Sequence, residues 1–317
     1  MKNTSPTIVF FGSGSVAARS LELLSANFTI EAVVTKPKPA HHRGSFPVLD
    51  LAEKLDLPVC TVTNKQELSA LMATKPFTST TGVLIDFGII VAQDTIDYFP
   101  KGIVNSHFSL LPEWRGADPI TFALLSGQKQ TGVSLMLLVE AMDEGPLLGF
   151  GIQKISADET TTTLSNKLIE LSAALLRDTL PAYINDVPHP LTNTVTVPRT
   201  QEGTPTYSRK LTKEDGRLDW TKPAEQLERE VRAYNEWPKS YTTLGDIDVV
   251  ITKALAVPSN GPGAKPGDLD ITKTDGMSIL MVNTSSGSLD IERLKPAGKQ
   301  EMTAQAFLNG YGSKLGL

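Results

Sequence analysis

The sequence predicts an α/β protein of two domains, a mostly parallel sheet wound with helices and then a small β-barrel. Three observations carry that expectation. From Thr7 to Ile184, apolar runs alternate with amphipathic stretches, and strand–helix–strand order implies parallel strands joined by right-handed crossovers. Residues 186–207 are rich in Pro and Thr with little periodicity, as a linker would be. Beyond them, short strand-like runs separated by Gly, Pro and Asn turns replace the alternation. At 317 residues the chain also exceeds what one core ordinarily organises. The expected domains are 1–185 and 208–317.

In chain order, Thr7 to Phe11 is an apolar strand running into Gly-Ser-Gly, and Val16 to Asn27 has helical spacing. Ile30 to Thr35 is a second strand, followed by a loop at 37–46 and a helix near Leu49 to Leu55. A strand at Pro58 to Val62, a helix at Lys65 to Ala73 and a strand at Gly82 to Ile85 continue the pattern. These strands are continuously apolar, as buried parallel strands should be. Thr160 to Ile184 reads as a helix, with Leu164, Leu168, Leu171 and Leu175 on one face and Pro181 as a kink or stop. In the second domain Pro223 opens a helix whose Leu227, Val231 and Tyr234 share a face. Strands are expected at 240–244, 248–257, 277–283 and 288–294.

Composition narrows the function. The net charge is −5, and from residue 201 onward 15 Lys and Arg face 16 Asp and Glu, so any nucleic-acid contact must rest on a local patch. The single cysteine, Cys60, excludes an internal disulfide framework. No apolar run reaches transmembrane length and no signal core opens the sequence, so a cytoplasmic protein without membrane contact is expected, with a monomer as the default. Four histidines, two of them adjacent at 41 and 42, make a metal site an unfavoured reading.

Gly12-x-Gly14-x-x-Ala17 matches a dinucleotide-binding fingerprint between a strand and a helix. The acid that such sites need at the end of the second strand is missing, since that strand ends in Val34-Thr35-Lys36. A tight turn needing small residues, or a surface for another ligand's phosphate or ribose, are the other readings.

Residues 105–120, NSHFSLLPEWRGADPI, carry the strongest chemical signal. A strand at Gly102 to His107 points Asn105 and His107 to one face. The amide offers a donor to a developing oxyanion, and the imidazole moves a proton near neutral pH. Such a pair could equally satisfy backbone groups of a turn. Ser109 lacks the G-x-S-x-G setting of a serine nucleophile. Asp143, after the apolar strand Gly132 to Val139, could reach the same sheet edge and steady the histidine. Glu140 and Glu144 are read as solvated loop charges.

This stretch resembles the signature of enzymes that use 10-formyltetrahydrofolate, the methionyl-tRNA formyltransferase family most closely. That family carries Asn-x-His-x-Ser-Leu-Leu-Pro, then Trp-Arg-Gly-Ala-x-Pro-Ile, and a later Asp-x-Gly, here Asp143 to Gly145. The likeness covers the whole chain, since SRKLTKEDGRLDW and EQLEREVRAYNEWP resemble the opening of the family's C-terminal domain. It implies a Rossmann-like first domain, an OB-like barrel, 10-formyltetrahydrofolate as formyl donor without a metal, and initiator methionyl-tRNA as partner. Asn105, His107 and Asp143 would be catalytic. Ser109, Leu110, Leu111 and Pro112 would line the folate site, with the backbone of Gly88, Ile89, Ile90 and Val91 framing the pterin. Arg43, Arg209 and Lys210 would contact tRNA. This chain departs from the family's pattern at Gly12-Ser-Gly14, in the shorter basic loop at 37–46, at Asp86-Phe87, at Glu113 and at Pro146. Formyl transfer to water or an amino sugar, a tRNA-binding protein without catalysis, and a dinucleotide oxidoreductase are the competing readings.

Overall fold

A computed structural model describes residues 5–41, 44–187, 197–258, 264–274 and 277–315. The chain forms two compact units. One comprises Met1–Pro119, Gln130–Lys154 and Ser165–Ser208, the other Ile120–Lys129, Ile155–Leu164 and Arg209–Leu317.

The first unit begins with β1 (Thr7–Phe11), α1 (Ser15–Ser25), β2 (Thr29–Thr35), α2 (Pro47–Lys54), β3 (Val59–Thr61) and α3 (Lys65–Ala73). β4 (Gly82–Leu84), α4 (Gln93–Asp97), β5 (Ile103–His107) and β6 (Arg115–Gly116) follow; α5 (Pro119–Ser126), all but its first residue in the second unit, precedes β7 (Gln130–Leu137) and β8 (Leu147–Lys154) of the first, and α6 (Thr161–Ile184) starts in the second unit and continues in the first from Ser165. The sheet runs β3-β2-β1-β4-β5-β7-β8. Its first five strands are parallel, and β7 and β8 join antiparallel. The chain leaves β1 toward β2 and later reverses to β4, which makes β1/β4 the switch point where a crevice opens at the carboxyl edge.

Local sequence accounts for these elements. Ile8 to Phe11 are fully buried, so β1 sits mid-sheet with both faces covered. Phe11 packs edge-to-face on Phe87 and Phe99, an arrangement that suits the ring quadrupole. α3 opens with a reciprocal cap: Asn64 Oδ1 accepts from Glu67 N at 3.0 Å, and the Glu67 carboxylate accepts from Thr63 N at 2.7 Å. α6 continues past Pro181 to Ile184, so that proline does not end it. Its fully buried residues include Leu164, Leu168, Ser172, Leu176 and Leu180, a stripe slightly rotated from the expected leucines. Leu171 instead packs against Gly151 and Leu175 against Gly149 on β8. That strand was not expected from the sequence.

The expected linker, 186–207, includes positions 188–196, which lie outside the described residues. Its described remainder is tied to the first unit. Leu147 and Arg199 exchange backbone hydrogen bonds of 2.7 and 2.8 Å, and β9 (Tyr207–Ser208) pairs with β6.

In the second unit, α7 (Ala224–Ala233) starts after Pro223 and buries Leu227 and Val231. β10 (Ser240–Leu244), β11 (Ile247–Val257), β12 (Leu269–Thr274), β13 (Met277–Asn283) and β14 (Ser288–Pro296) form an antiparallel sheet in the order β10-β11-β14-β13-β12. β15 (Met302–Thr303) pairs with β14 and leads into α8 (Ala304–Tyr311). Leu227, Leu280, Val282, Leu289, Leu294 and Phe307 form its core. The sequence reading missed β12, an edge strand whose apolar residues, Leu269 and Ile271, alternate with Asp270 and Thr272.

Candidate active site

β5 is held between β4 and β7, where Asn105 pairs with Leu84 on one side and Met136 on the other. Asn105 and His107, two apart, share a face and are 8% and 7% exposed. Asp143 lies beyond β7 with φ 53°, a left-handed backbone that Asp tolerates better than most side chains. The structure brings these three side chains together. Asn105 Nδ2 lies 3.4 Å from Asp143 Oδ1, and His107 Nδ1 lies 3.7 Å from the same oxygen.

Backbone groups set the site's orientation. Asp143 Oδ2 accepts from Gly116 N at 2.7 Å. His107 Nε2 lies 2.9 Å from the carbonyl oxygen of Trp114, which can only accept, so Nε2 carries the proton in the neutral ring. Nδ1 is then the basic nitrogen and faces Asp143. The Trp114 carbonyl therefore fixes the ring's orientation, and the carboxylate stands ready for the charge that appears on protonation.

A further layer steadies Asp143, and its sequence signal was masked by the linker reading. Gln201 Nε2 donates to the carbonyls of Asp143 and Gly145, each at 2.8 Å, and its Oε1 accepts from Arg115 Nη2 at 2.8 Å. Arg115 Nη1 also meets Glu144 at 3.0 Å, so Glu144 is paired, while Glu140 is exposed. Gly116 has φ 105°, and a Cβ there would stand 2.6 Å from the carbonyl oxygen of Ser208. A side chain at 116 would thus push apart β6 and β9 and shift the amide that holds Asp143.

The remaining expected residues divide by exposure. Ser109 is fully buried, and its hydroxyl donates to the Glu113 carbonyl, so it shapes the loop and is not poised as a nucleophile. Leu111 N donates to Ser134 Oγ at 3.0 Å, which anchors the loop carrying Leu110 and Pro112. Gly88 has φ 65°, Val91 is 9% exposed, and Ile90 is open to solvent at 71%. Arg43 lies outside the described residues. In the second unit Lys210 is exposed, whereas Arg209 meets Asp215 at 2.9 Å and lies over the Phe122 ring. That hydrogen-bonded guanidinium holds the Asp215 carboxyl well below the usual range. Among the described residues no group of three His, Cys, Asp or Glu could hold a metal ion, and no helix is long and apolar enough to cross a membrane.

The glycine loop after β1 is occupied from within the protein. A Cβ built on Gly14 would stand 2.0 Å from Asp86 Oδ2, so this carboxylate rests where a side chain at 14 would be. Ser13 N donates to the Asp86 carbonyl at 3.0 Å, joining the loops after β1 and β4. The phosphate or dinucleotide that the glycine pattern suggested meets a negative charge there.

Known proteins resemble this chain along its length. Residues 7–180 match the formyl transferase family model, and residues 210–312 match the model of the formyl transferase C-terminal domain. A methionyl-tRNA formyltransferase of Myxococcus xanthus is 36% identical over 310 residues, covering 96% of this chain and 95% of that protein. One of Symbiobacterium thermophilum is 34% identical, covering 98% and 94%. Among solved structures, an N-formyltransferase of Helicobacter canadensis in complex with folinic acid and dTDP-3-aminofucose superposes with a TM-score of 0.66, covering 91% of this chain and 98% of its own. Its 15% identity makes that a likeness of fold.

Proposed function

Because the chain belongs to the methionyl-tRNA formyltransferase family, it formylates methionyl-tRNA for translation initiation, and we propose that it does so directly from 10-formyltetrahydrofolate at Asn105, His107 and Asp143. The observation that carries the assignment is the convergence of an amide donor, a basic imidazole nitrogen and a carboxylate on one oxygen, Asp143 Oδ1.

The neutral α-amine of the methionyl ester attacks the formyl carbon, and a C–N bond forms while the carbonyl π pair moves to oxygen. Asn105 Nδ2 donates to that oxyanion. His107 Nδ1 accepts the amine's proton, and Asp143 stabilises the imidazolium. Collapse of the tetrahedral intermediate breaks the bond to the folate nitrogen, which leaves with the proton returned from His107. No protein nucleophile is needed, which accords with the committed hydroxyl of Ser109. The loop Ser109 to Pro112 and the backbone of Gly88, Ile89, Ile90 and Val91 would hold the folate. Arg43, Arg209 and Lys210 would meet tRNA phosphates, Lys210 with the more available charge because Arg209 already serves Asp215. The enzyme would act as a cytoplasmic monomer.

The test supplies purified protein with 10-formyltetrahydrofolate, with and without methionyl-tRNA, and follows formyl-methionine and formate separately. Formyl-methionine appearing only with charged tRNA is expected. Formate released equally without tRNA would make the protein a hydrolase and overturn this reading.

A further inference from the structure

His107 stands between two acceptors that favour opposite tautomers. Its Nε2 lies 2.9 Å from the carbonyl oxygen of Trp114, and its Nδ1 lies 3.7 Å from Asp143 Oδ1. In the neutral ring one nitrogen carries the proton and the other is basic. The carboxylate draws the proton to Nδ1, where the base is lost. The carbonyl draws it to Nε2, which leaves Nδ1 free to accept. The shorter contact decides: 2.9 Å is a hydrogen bond and 3.7 Å is not. The base therefore depends on where the Trp114 carbonyl points.

Trp114 does not hold that direction by its own preference. Its φ is 56°, a left-handed backbone that is costly for a bulky residue. Such a conformation persists only where the surroundings over-determine it. Here the surroundings include the last residues of the first unit, Thr206 above all. Thr206 Oγ1 accepts from Trp114 N at 2.9 Å. Its backbone brackets the same residue, because Thr206 N donates to the Pro112 carbonyl at 3.2 Å and the Thr206 carbonyl accepts from Arg115 N at 2.9 Å. Two residues on, Ser208 Oγ reaches the Trp114 carbonyl at 3.4 Å and the Arg115 carbonyl at 3.3 Å. The two backbone bonds, with the pairing of β6 and β9 beside them, already join the segments. The hydroxyl adds something else: it fixes the amide of the residue whose carbonyl faces His107. Amide and carbonyl are the two ends of Trp114, so a rotation about its φ and ψ moves one relative to the other.

We propose that Thr206 is a positioning residue for formyl transfer: its hydroxyl holds Trp114 in the left-handed turn and thereby keeps the His107 proton on Nε2. The inference rests on the functional reading above and gives the segment that precedes the second unit a part in the chemical step. Thr206 acts through Trp114 and then through His107. When Trp114 N is released, the turn relaxes, the carbonyl leaves Nε2, and the Asp143 carboxylate draws the proton to Nδ1. The imidazole then offers the attacking amine no basic nitrogen at that edge.

The test compares Thr206→Val, which keeps the shape and removes the acceptor, with Thr206→Ser, which keeps the acceptor. Thr206 is exposed, so neither change opens a cavity in the core. Two readouts are taken: steady-state kinetics with methionyl-tRNA and 10-formyltetrahydrofolate, and the nitrogen-NMR shifts of the neutral His107 ring, assigned by their loss in His107→Ala. In the wild type Nε2 carries the proton. In Thr206→Val kcat is lower by about tenfold, the worth of one hydrogen bond. Both KM values and the melting temperature stay near wild type, and the ring proton shifts toward Nδ1. Thr206→Ser restores kcat and the wild-type tautomer. A wild-type kcat in Thr206→Val, a loss that serine does not restore, or a lower kcat with the proton still on Nε2 would overturn the inference. A wild type silent toward methionyl-tRNA would instead remove the functional reading, and the ring shifts, which need no substrate, would still decide whether Thr206 sets the tautomer.

Discussion

The two halves of the first unit's carboxyl edge hold their carboxylates in opposite ways. On the β5/β7 side, Asp143 is gripped: Gly116 N, Asn105 and His107 surround its oxygens, and Gln201 holds its backbone. On the β1/β4 side, Asp86 rests against Gly14 and feels the charges of Lys36 and Asp118, yet is exposed to solvent. The gripped carboxylate suits a group that must not move while charge develops beside it. The open one suits a group that must meet an arriving ligand. Substitutions on the first side should therefore lower turnover.

The largest expected loss is at His107. His107→Ala should lower kcat by about 100- to 10,000-fold, the usual span for a general base, with a circular-dichroism spectrum and melting temperature close to wild type. Near-normal turnover would remove the imidazole from the mechanism. Gly116→Ala comes next. Its Cβ would meet the Ser208 carbonyl at 2.6 Å, and φ 105° is costly for alanine. Both kcat and thermal stability should fall, with a stability loss of about 1–3 kcal/mol. A stable variant of full activity would show that the Gly116 amide is dispensable for Asp143. Gln201→Ala should cost less, about tenfold in kcat with little change in KM for either substrate, because it removes only a support of Asp143. A variant whose defect lay in KM for tRNA would instead place Gln201 at the RNA surface.

Legibility in the sequence followed the range of the interaction that fixes each residue. The alternation of apolar runs and amphipathic helices is local, and it revealed the parallel half of the sheet and the lengths of α3 and β10. Asn105 and His107 were readable because a strand's period of two puts them on one face. Asp143 was readable from its place after a strand. Gln201 was not: it sits in a polar, proline-rich stretch resembling a linker, and its partner Arg115 is 86 residues away. Asp86 stood out as a departure from the family's pattern, but its meaning depends on Gly14, Lys36 and Asp118, which only the sheet order brings together. The glycine fingerprint was legible and misleading for the same reason, since nothing near it in sequence announces the carboxylate that fills the loop.

The most direct measurement is a single-turnover assay of Asn105→Ala with saturating 10-formyltetrahydrofolate and methionyl-tRNA, read by rapid quench, with donor affinity measured separately. An oxyanion donor is worth about 100- to 1,000-fold in the chemical step. The rate constant for formyl-methionine formation should fall by that order while donor Kd stays at the wild-type value. A wild-type rate constant, or a loss explained wholly by weaker donor binding, would contradict direct transfer at Asn105, His107 and Asp143.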